Sequence, residues 1–190
     1  MTIRGTAFTG GVTVVAAALV WILFIGLPKW SGTRRSPVPA PPPKVAALPG
    51  RKIKAHLFYV AESGLKLTSV EQDVPYGEGT VEQAKAIINA QIGPPAPPLV
   101  SAVPAGTTLR ALFVTASGEA FVDLSPELMT AHPGGSLNEL LTLYTIVHAL
   151  TTNLPLVTAV QVLVDGKERD TLAGHVDLRR PLVKNPAWVE

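Results

Sequence analysis

The chain has 190 residues, with 16 Lys and Arg against 14 Asp and Glu, a sequence pI near 9.0 and no cysteine. The lack of cysteine excludes disulfides, thiolate metal sites and thiol nucleophiles. The basic balance does not point to nucleic acid. Arg4, Lys29, Arg34, Arg35 and Lys44 are the only charged side chains before position 51, which leaves eleven basic against fourteen acidic residues in 51–190, a formal charge of −3. Phosphate backbones are held by clustered Lys and Arg, so no nucleic-acid partner is expected.

No residue from Gly5 to Pro28 is charged, and Val12–Leu27 is almost wholly apolar. Roughly 20 apolar residues cross a hydrocarbon core of about 30 Å. Trp21 and Trp30 suit an interfacial belt at the far end. A cleaved signal peptide would have a shorter apolar region followed by a small-residue cleavage site. The run here ends instead in Leu-Pro-Lys-Trp, and residues 1–28 are predicted to be a short tip and one uncleaved transmembrane helix, contacting lipid through residues 6–27. The positive-inside count, one arginine and the terminal amine before the span against Lys29, Arg34 and Arg35 after it, by itself favours a cytoplasmic C-terminal side. Residues 29–50 form a proline-rich linker: SPVPAPPPKVAALP at 36–49 carries six prolines. It is predicted to be an extended spacer, reaching up to roughly 70 Å at about 3.1 Å per residue.

Residues 51–190 are predicted to be one domain. IKAHLFYV (53–60) alternates as a strand, and LKLTSVEQDV (65–74) is its hairpin partner across Glu62-Ser63-Gly64. TVEQAKAIINAQI (80–92) is a helix with Thr80 as expected N-cap, a stripe of Val81, Ala84, Ile87, Ile88 and Ile92, and Gly93 as its end. TLRALFVTASGEAFVDLS (108–125) forms two strands around Ala116–Glu119. Ser136 and Glu139 have the spacing of a capping box opening a second helix that runs to about Thr152. On that helix Leu137, Leu140, Leu141, Tyr144, Val147 and Thr151 form an apolar stripe, widened by Leu143, Ile146 and Leu150, and Asn138, Thr142, Thr145, Ala149 and Thr152 mark a polar side. VTAVQVLVDG (157–166) is a strand leading into an Asp165-Gly166 turn, with short strand in TLAG and HVDLRRP. The expected fold class is α+β, two helices packed on a mostly antiparallel sheet.

The candidates for chemistry are few. His148 lies at the border of the second helix, where its ring can be half-buried and hydrogen-bonded. His132 and His148 lack metal-ligand spacing. His175 and Asp177 form an H-x-D pair that on a strand would share one face. An envelope hydrolase, metal-dependent in one form, would be built on His148, His175 and Asp177. Against it, Gly134-Gly135-Ser136 lacks the serine-hydrolase elbow pattern and the Lys of a phosphate loop. Gly166 and Gly174 suit turns, and Arg179-Arg180 a solvated surface. The balance of these residues predicts no enzyme, no cofactor and no metal.

The run GGSLNELLTLYTIVHALTTNLPLVTAVQVLVDGKERDTLAGHVDLRRPL resembles the GerMN domain, the domain of sporulation and spore germination. The resemblance is carried by Glu139, Leu141, Tyr144, Ile146, Val147 and Leu150 on the helix, by Val157 to Gly166 in the strand, and by Gly174 to Pro181 in the tail. It extends over roughly 53–183. It implies a non-catalytic, extracytoplasmic module with a fold similar to small ring-building domains of envelope assemblies. The expected setting is the bacterial inner membrane, single-pass, with the domain outside the cytoplasm. The expected partners are an envelope protein or peptidoglycan, or further copies of the chain in a homo-oligomer.

Overall fold

The computed structural model describes residues 50–190; the predicted transmembrane helix and all of the linker except Gly50 lie outside them. Among the described residues no helix is long and apolar enough to cross a membrane. The first hairpin is β1 (Lys52–Val60) paired antiparallel with β2 (Leu67–Pro75), in the register Leu57 opposite Val70. Helix α1 (Gly79–Ile92) follows, then β3 (Leu109–Val114) and β4 (Glu119–Leu124). A single turn, α2 (Glu127–Thr130), precedes the long α3 (Ser136–Asn153); β5 (Ala159–Val164) and the two-residue β6 (Leu182–Val183) complete the order.

The turns follow their local chemistry. Gly118 in the β3–β4 turn has φ +87°, and a Cβ there would lie 2.5 Å from the Leu156 carbonyl oxygen, so only glycine fits. Asp165 and Gly166 both take positive φ, and Val164 and Lys167 exchange backbone hydrogen bonds across them, as the Asp-Gly pair predicts.

The strands do not form one largely antiparallel sheet. The β1–β2 hairpin stands alone, and a second sheet has the order β3-β4-β5-β6. In that sheet β4 and β5 are parallel. The physical reason is the connection: α3 carries the chain back along the sheet, so β5 starts at the same end as β4. TLAG and HVDLRRP contribute only one isolated bridge, Thr171 to Asp177.

Both expected helix caps are replaced. Helix α1 begins at Gly79, with no side-chain cap from Thr80. Its start is fixed by Gln83, whose side chain accepts from the Gly77 N–H (3.0 Å) and donates to the Pro75 carbonyl (3.2 Å). At α3 the N-cap is Gly135, Ser136 is the first helical residue, and the Glu139 carboxylate turns away from the helix start.

Helix α3 has no solvated side. From Leu141 to Leu150 every residue but Tyr144 is buried, including Thr142, Thr145 and Ala149 on the expected polar side. Leu143, Ile146, Val147 and Leu150 pack on the four-stranded sheet with Val122, Val160 and Val162. Leu141 and Ala149 pack on the hairpin with Leu57, Phe58 and Leu67. The helix is hydrophobic nearly all round because it lies between two layers.

Hairpin strand β1 presents one edge to β2 and needs partners on the other. Residues 56, 58 and 60 alternate with those bonded to β2 and direct their backbone groups outward. The Gln91 side chain accepts from the Phe58 N–H and donates to its carbonyl, both at 2.8 Å. Asn153 does the same for His56, again at 2.8 Å each. The Val60 N–H donates to the Val100 carbonyl at 2.9 Å. Two helix-borne amides thus stand where a neighbouring strand would. Gln91 is fully buried, so Gln91→Met should strand a backbone donor and acceptor and cost about 2–4 kcal/mol in urea unfolding. A loss under about 0.5 kcal/mol would show that these bonds do not hold the hairpin.

Candidate functional site

Three polar clusters are strung along α3. Near its start, Glu139 is fully buried. Its Oε1 accepts from His175 Nδ1 at 2.6 Å, and its Oε2 accepts from the His175 and Val176 backbone N–H groups at 3.1 and 3.0 Å. Burial alone would raise the Glu139 pKa. The Val176 N–H, the His175 ring and the N–H groups of Ala173 and His175 outweigh it and hold the carboxyl at about 2. The carboxylate therefore fastens the 173–176 loop to the helix. It lies in the first turn of the helix, where negative charge is favoured.

One turn later, Thr142 donates to the Ala102 carbonyl at 2.6 Å and contacts His132 Nε2 at 3.1 Å. The other ring nitrogen of His132 accepts from the Gly134 N–H at 2.9 Å, so Nε2 carries the proton and donates to Thr142. Burial lowers the His132 pKa.

The third cluster is centred on His148. The ring is 1% exposed rather than half-buried. It lies 5.2 Å from the Phe58 ring and 5.9 Å from Tyr144, and Nε2 donates to the Asn185 carbonyl at 2.9 Å.

The residues of the hydrolase alternative thus have three separate partners. His148 is bound to Asn185, His175 to Glu139, and Asp177 to Arg179, whose Nε and Nη2 donate at 2.9 and 2.8 Å. Arg179 holds the Asp177 carboxyl well below the usual carboxylate range. Nine residues of helix, about 14 Å, separate Glu139 with its bound His175 from His148. The H-x-D pair does not share a strand face, because residues 173–177 run as an irregular loop fastened to Glu139. Among the described residues no group of three His, Asp or Glu side chains could hold a metal ion.

An open apolar groove runs between Ile92–Pro95, Ser101–Gly106 and Pro133, and none of the residues lining it is titratable. Its one hydroxyl near the rim, Ser101, is bonded to the Val103 backbone. On the outer side of the four-stranded sheet, Arg110 pairs with Asp123 (3.2 Å) and Asp165 (3.0 Å), and Asp123 also accepts from the Gly166 N–H at 2.8 Å.

The sequence reading assigned no role to Gln91, Asn153 or Asn185. A signal existed for Gln91, a lone amide completing the Ala84-Ile87-Ile88 stripe at helical spacing. For Asn185 the Asn-Pro pair was a cap signal for the turn that follows, but its backbone carbonyl, which meets His148, has no side-chain signature.

Glu139 supplies a pH dependence whose sign is fixed. Its folded pKa lies below the ordinary 4.5, so its contribution is full above that pH and is lost as pH falls towards 2. Relative to Glu139→Gln, the native chain should lose about 3 kcal/mol of its stability advantage between pH 5 and pH 2. Parallel stability curves for the two proteins would refute the assignment.

The sequence profile of the family described as "Sporulation and spore germination" matches residues 56–170. No curated protein matches the chain. Among solved structures, a candidate lipoprotein from Clostridium perfringens is 22% identical with a TM-score of 0.52, over 71% of this chain and 89% of that one. The first GerMN domain of the sporulation protein GerM from Bacillus subtilis gives 17% identity and a TM-score of 0.52, over 70% and 98%. The tandem GerMN domains of the same protein give 16% and 0.51, over 70% of this chain and 46% of that one, so the chain spans about half of the tandem. These likenesses concern the fold: α+β, with three helices on an antiparallel hairpin and a mixed sheet. The family profile covers more than half of the sequence, including the long helix and the strand after it; the chain belongs to the GerMN-domain family of sporulation and spore germination.

Proposed function

We propose that this protein is a non-catalytic interaction module of the bacterial cell envelope, held at the inner membrane by residues 6–27 and displayed outside the cytoplasm by the 29–50 spacer. The observation that carries this reading is the coupling of a GerMN-family domain to an uncharged apolar run and a proline-rich segment. The fold likeness to a candidate lipoprotein supports an envelope setting. The commitment of Glu139, His148, His175 and Asp177 to bonds that hold loops in place supports a binding role over hydrolysis. The partner on this reading is an envelope protein or peptidoglycan. A self-assembling scaffold is its variant, favoured by Phe113 on edge strand β3 and Val183 on edge strand β6, 65% and 60% exposed.

Topology is the first test. Single cysteines at Lys44 and at the exposed Lys167 should react with a membrane-impermeant thiol reagent in intact cells whose outer layers have been permeabilised. Protection until the inner membrane is lysed would overturn the extracytoplasmic placement. The full chain in detergent should then co-sediment with purified sacculi or retain an envelope protein. Hydrolytic activity that vanishes in a His175→Ala and Asp177→Ala double variant of unchanged melting temperature would replace the binding reading with an enzymatic one.

A further inference from the structure

The last residues of the described chain are strapped across α3 and the hairpin. The Glu190 N–H donates to the Leu67 carbonyl at 2.9 Å, and Val189 makes a parallel bridge with Leu67. The half-buried Trp188 stacks on Tyr144 with ring centres 6.0 Å apart. The one side-chain hydrogen bond from α3 to this strap comes from His148, whose Nε2 meets the Asn185 carbonyl. Asn185 in turn caps the Pro186–Trp188 turn through its own side chain.

His148 closes the strap without burying a charge only as the neutral Nε2–H tautomer. A carbonyl oxygen only accepts, so Nε2 must carry the proton of the neutral ring and Nδ1 must be bare. Nδ1 is buried and has no hydrogen-bond partner. A proton added there would place a positive charge in a site with no acceptor to receive it. The groups around the ring make this worse. Phe58 faces it from β1 and Tyr144 from its own helix, both uncharged, and the strap contributes the Asn185 carbonyl and the Lys184 ammonium. Among the described residues no carboxylate forms an ion pair with it.

We propose that residues 184–190 are a pH-sensitive latch, closed by the neutral His148 ring and opened when Nδ1 takes up a proton, baring the apolar surface of Leu67 and Tyr144. Burial, and secondarily the Lys184 charge, already lower the affinity of the ring for a proton, against the opposing pull of the Asn185 carbonyl. The sign follows from linkage. The closed state favours the neutral ring, so its stabilisation is full above the ordinary value of 6.5 and is lost as pH falls through the lower value of the closed state. The other histidines are hydrogen-bonded elsewhere: His56 to Ser69, His132 to Thr142 and Gly134, and His175 to Glu139.

The test uses the full chain with Trp21 and Trp30 replaced by Phe, which leaves Trp188 as its single tryptophan. Acrylamide quenching of Trp188 should rise severalfold between pH 7.5 and pH 5, with a midpoint below 6.5, while the far-ultraviolet circular dichroism stays native. His148→Gln, which keeps a donor for Asn185 and gains no proton, should stay latched throughout. Should that variant not fold, Trp188→Ala decides: loosening the strap must shift the NMR titration of the His148 ring upward towards 6.5, because coupling is reciprocal. Four results would overturn the latch. Trp188 could remain shielded down to pH 5, or be released identically in His148→Gln, or become exposed only as the circular dichroism collapses. An unmoved His148 titration in Trp188→Ala would do the same.

Discussion

A two-stranded hairpin cannot satisfy its own backbone, and the rest of this domain is arranged around that constraint. Strand β1 has one partner, and every second residue directs an N–H and a C=O away from it. Buried and unpaired, those groups would each cost on the order of 1–3 kcal/mol. Gln91 and Asn153 meet the demand with planar amides, each donating and accepting to a single residue of β1. Both side chains project from the C-terminal parts of α1 and α3, so the hairpin fixes the placement of both helices. The same bonds occupy the edge that would otherwise invite another strand.

Once the hairpin is seated, α3 is covered on both sides, and its polar residues must find partners inside the protein. Three of them, Thr142, Glu139 and His148 through Nε2, do so by tethering an irregular segment, whereas the Thr145 hydroxyl and His148 Nδ1 have no partner. Thr142 binds the loop at Ala102, Glu139 binds the loop at 173–176, and His148 binds the strap at Asn185. The buried carboxylate stays charged because three backbone N–H groups and an imidazole converge on it, which offsets the cost of removing it from water. Polar groups on an interior helix are commonly taken for chemistry. Here they determine where long connections lie, and the loops carry few regular hydrogen bonds of their own.

This division of labour bears on function. On the proposed reading as an interaction module, recognition would fall to surface shape and to edges, because the buried titratable residues are used for tethering. Two of the exposed apolar side chains, Phe113 and Val183, sit on the edge strands of the mixed sheet, and the groove beside α1 is lined by proline, glycine and other uncharged residues. The proposed contact with another macromolecule would draw on these surfaces.

Much of the secondary structure was legible in the sequence, because it depends on local periodicity and turn chemistry. The alternation of 53–60, the stripe Ala84-Ile87-Ile88, the Asp165-Gly166 turn and the run from Ser136 to Asn153 each specify an element with no reference to the remainder of the chain. Family membership was legible for the same reason, since its motif is one continuous helix-and-strand segment. What the sequence left undetermined was every relation between distant segments. A Ser-x-x-Glu spacing describes a capping box equally well whether Glu139 turns towards its own helix or towards a loop 36 residues away. The polar stripe Thr142-Thr145-Ala149 reads as solvated until a hairpin is known to cover it. The parallel pairing of β4 with β5 follows from the path of α3, and the closure of His148 rests on a backbone carbonyl that any residue type could have provided. Local pattern determined the elements, because propensity acts over a few residues. Only the tertiary structure decided the partners of Glu139, Gln91, His148 and Asn153, because a hydrogen bond is set by proximity in space and the sequence records proximity only along the chain.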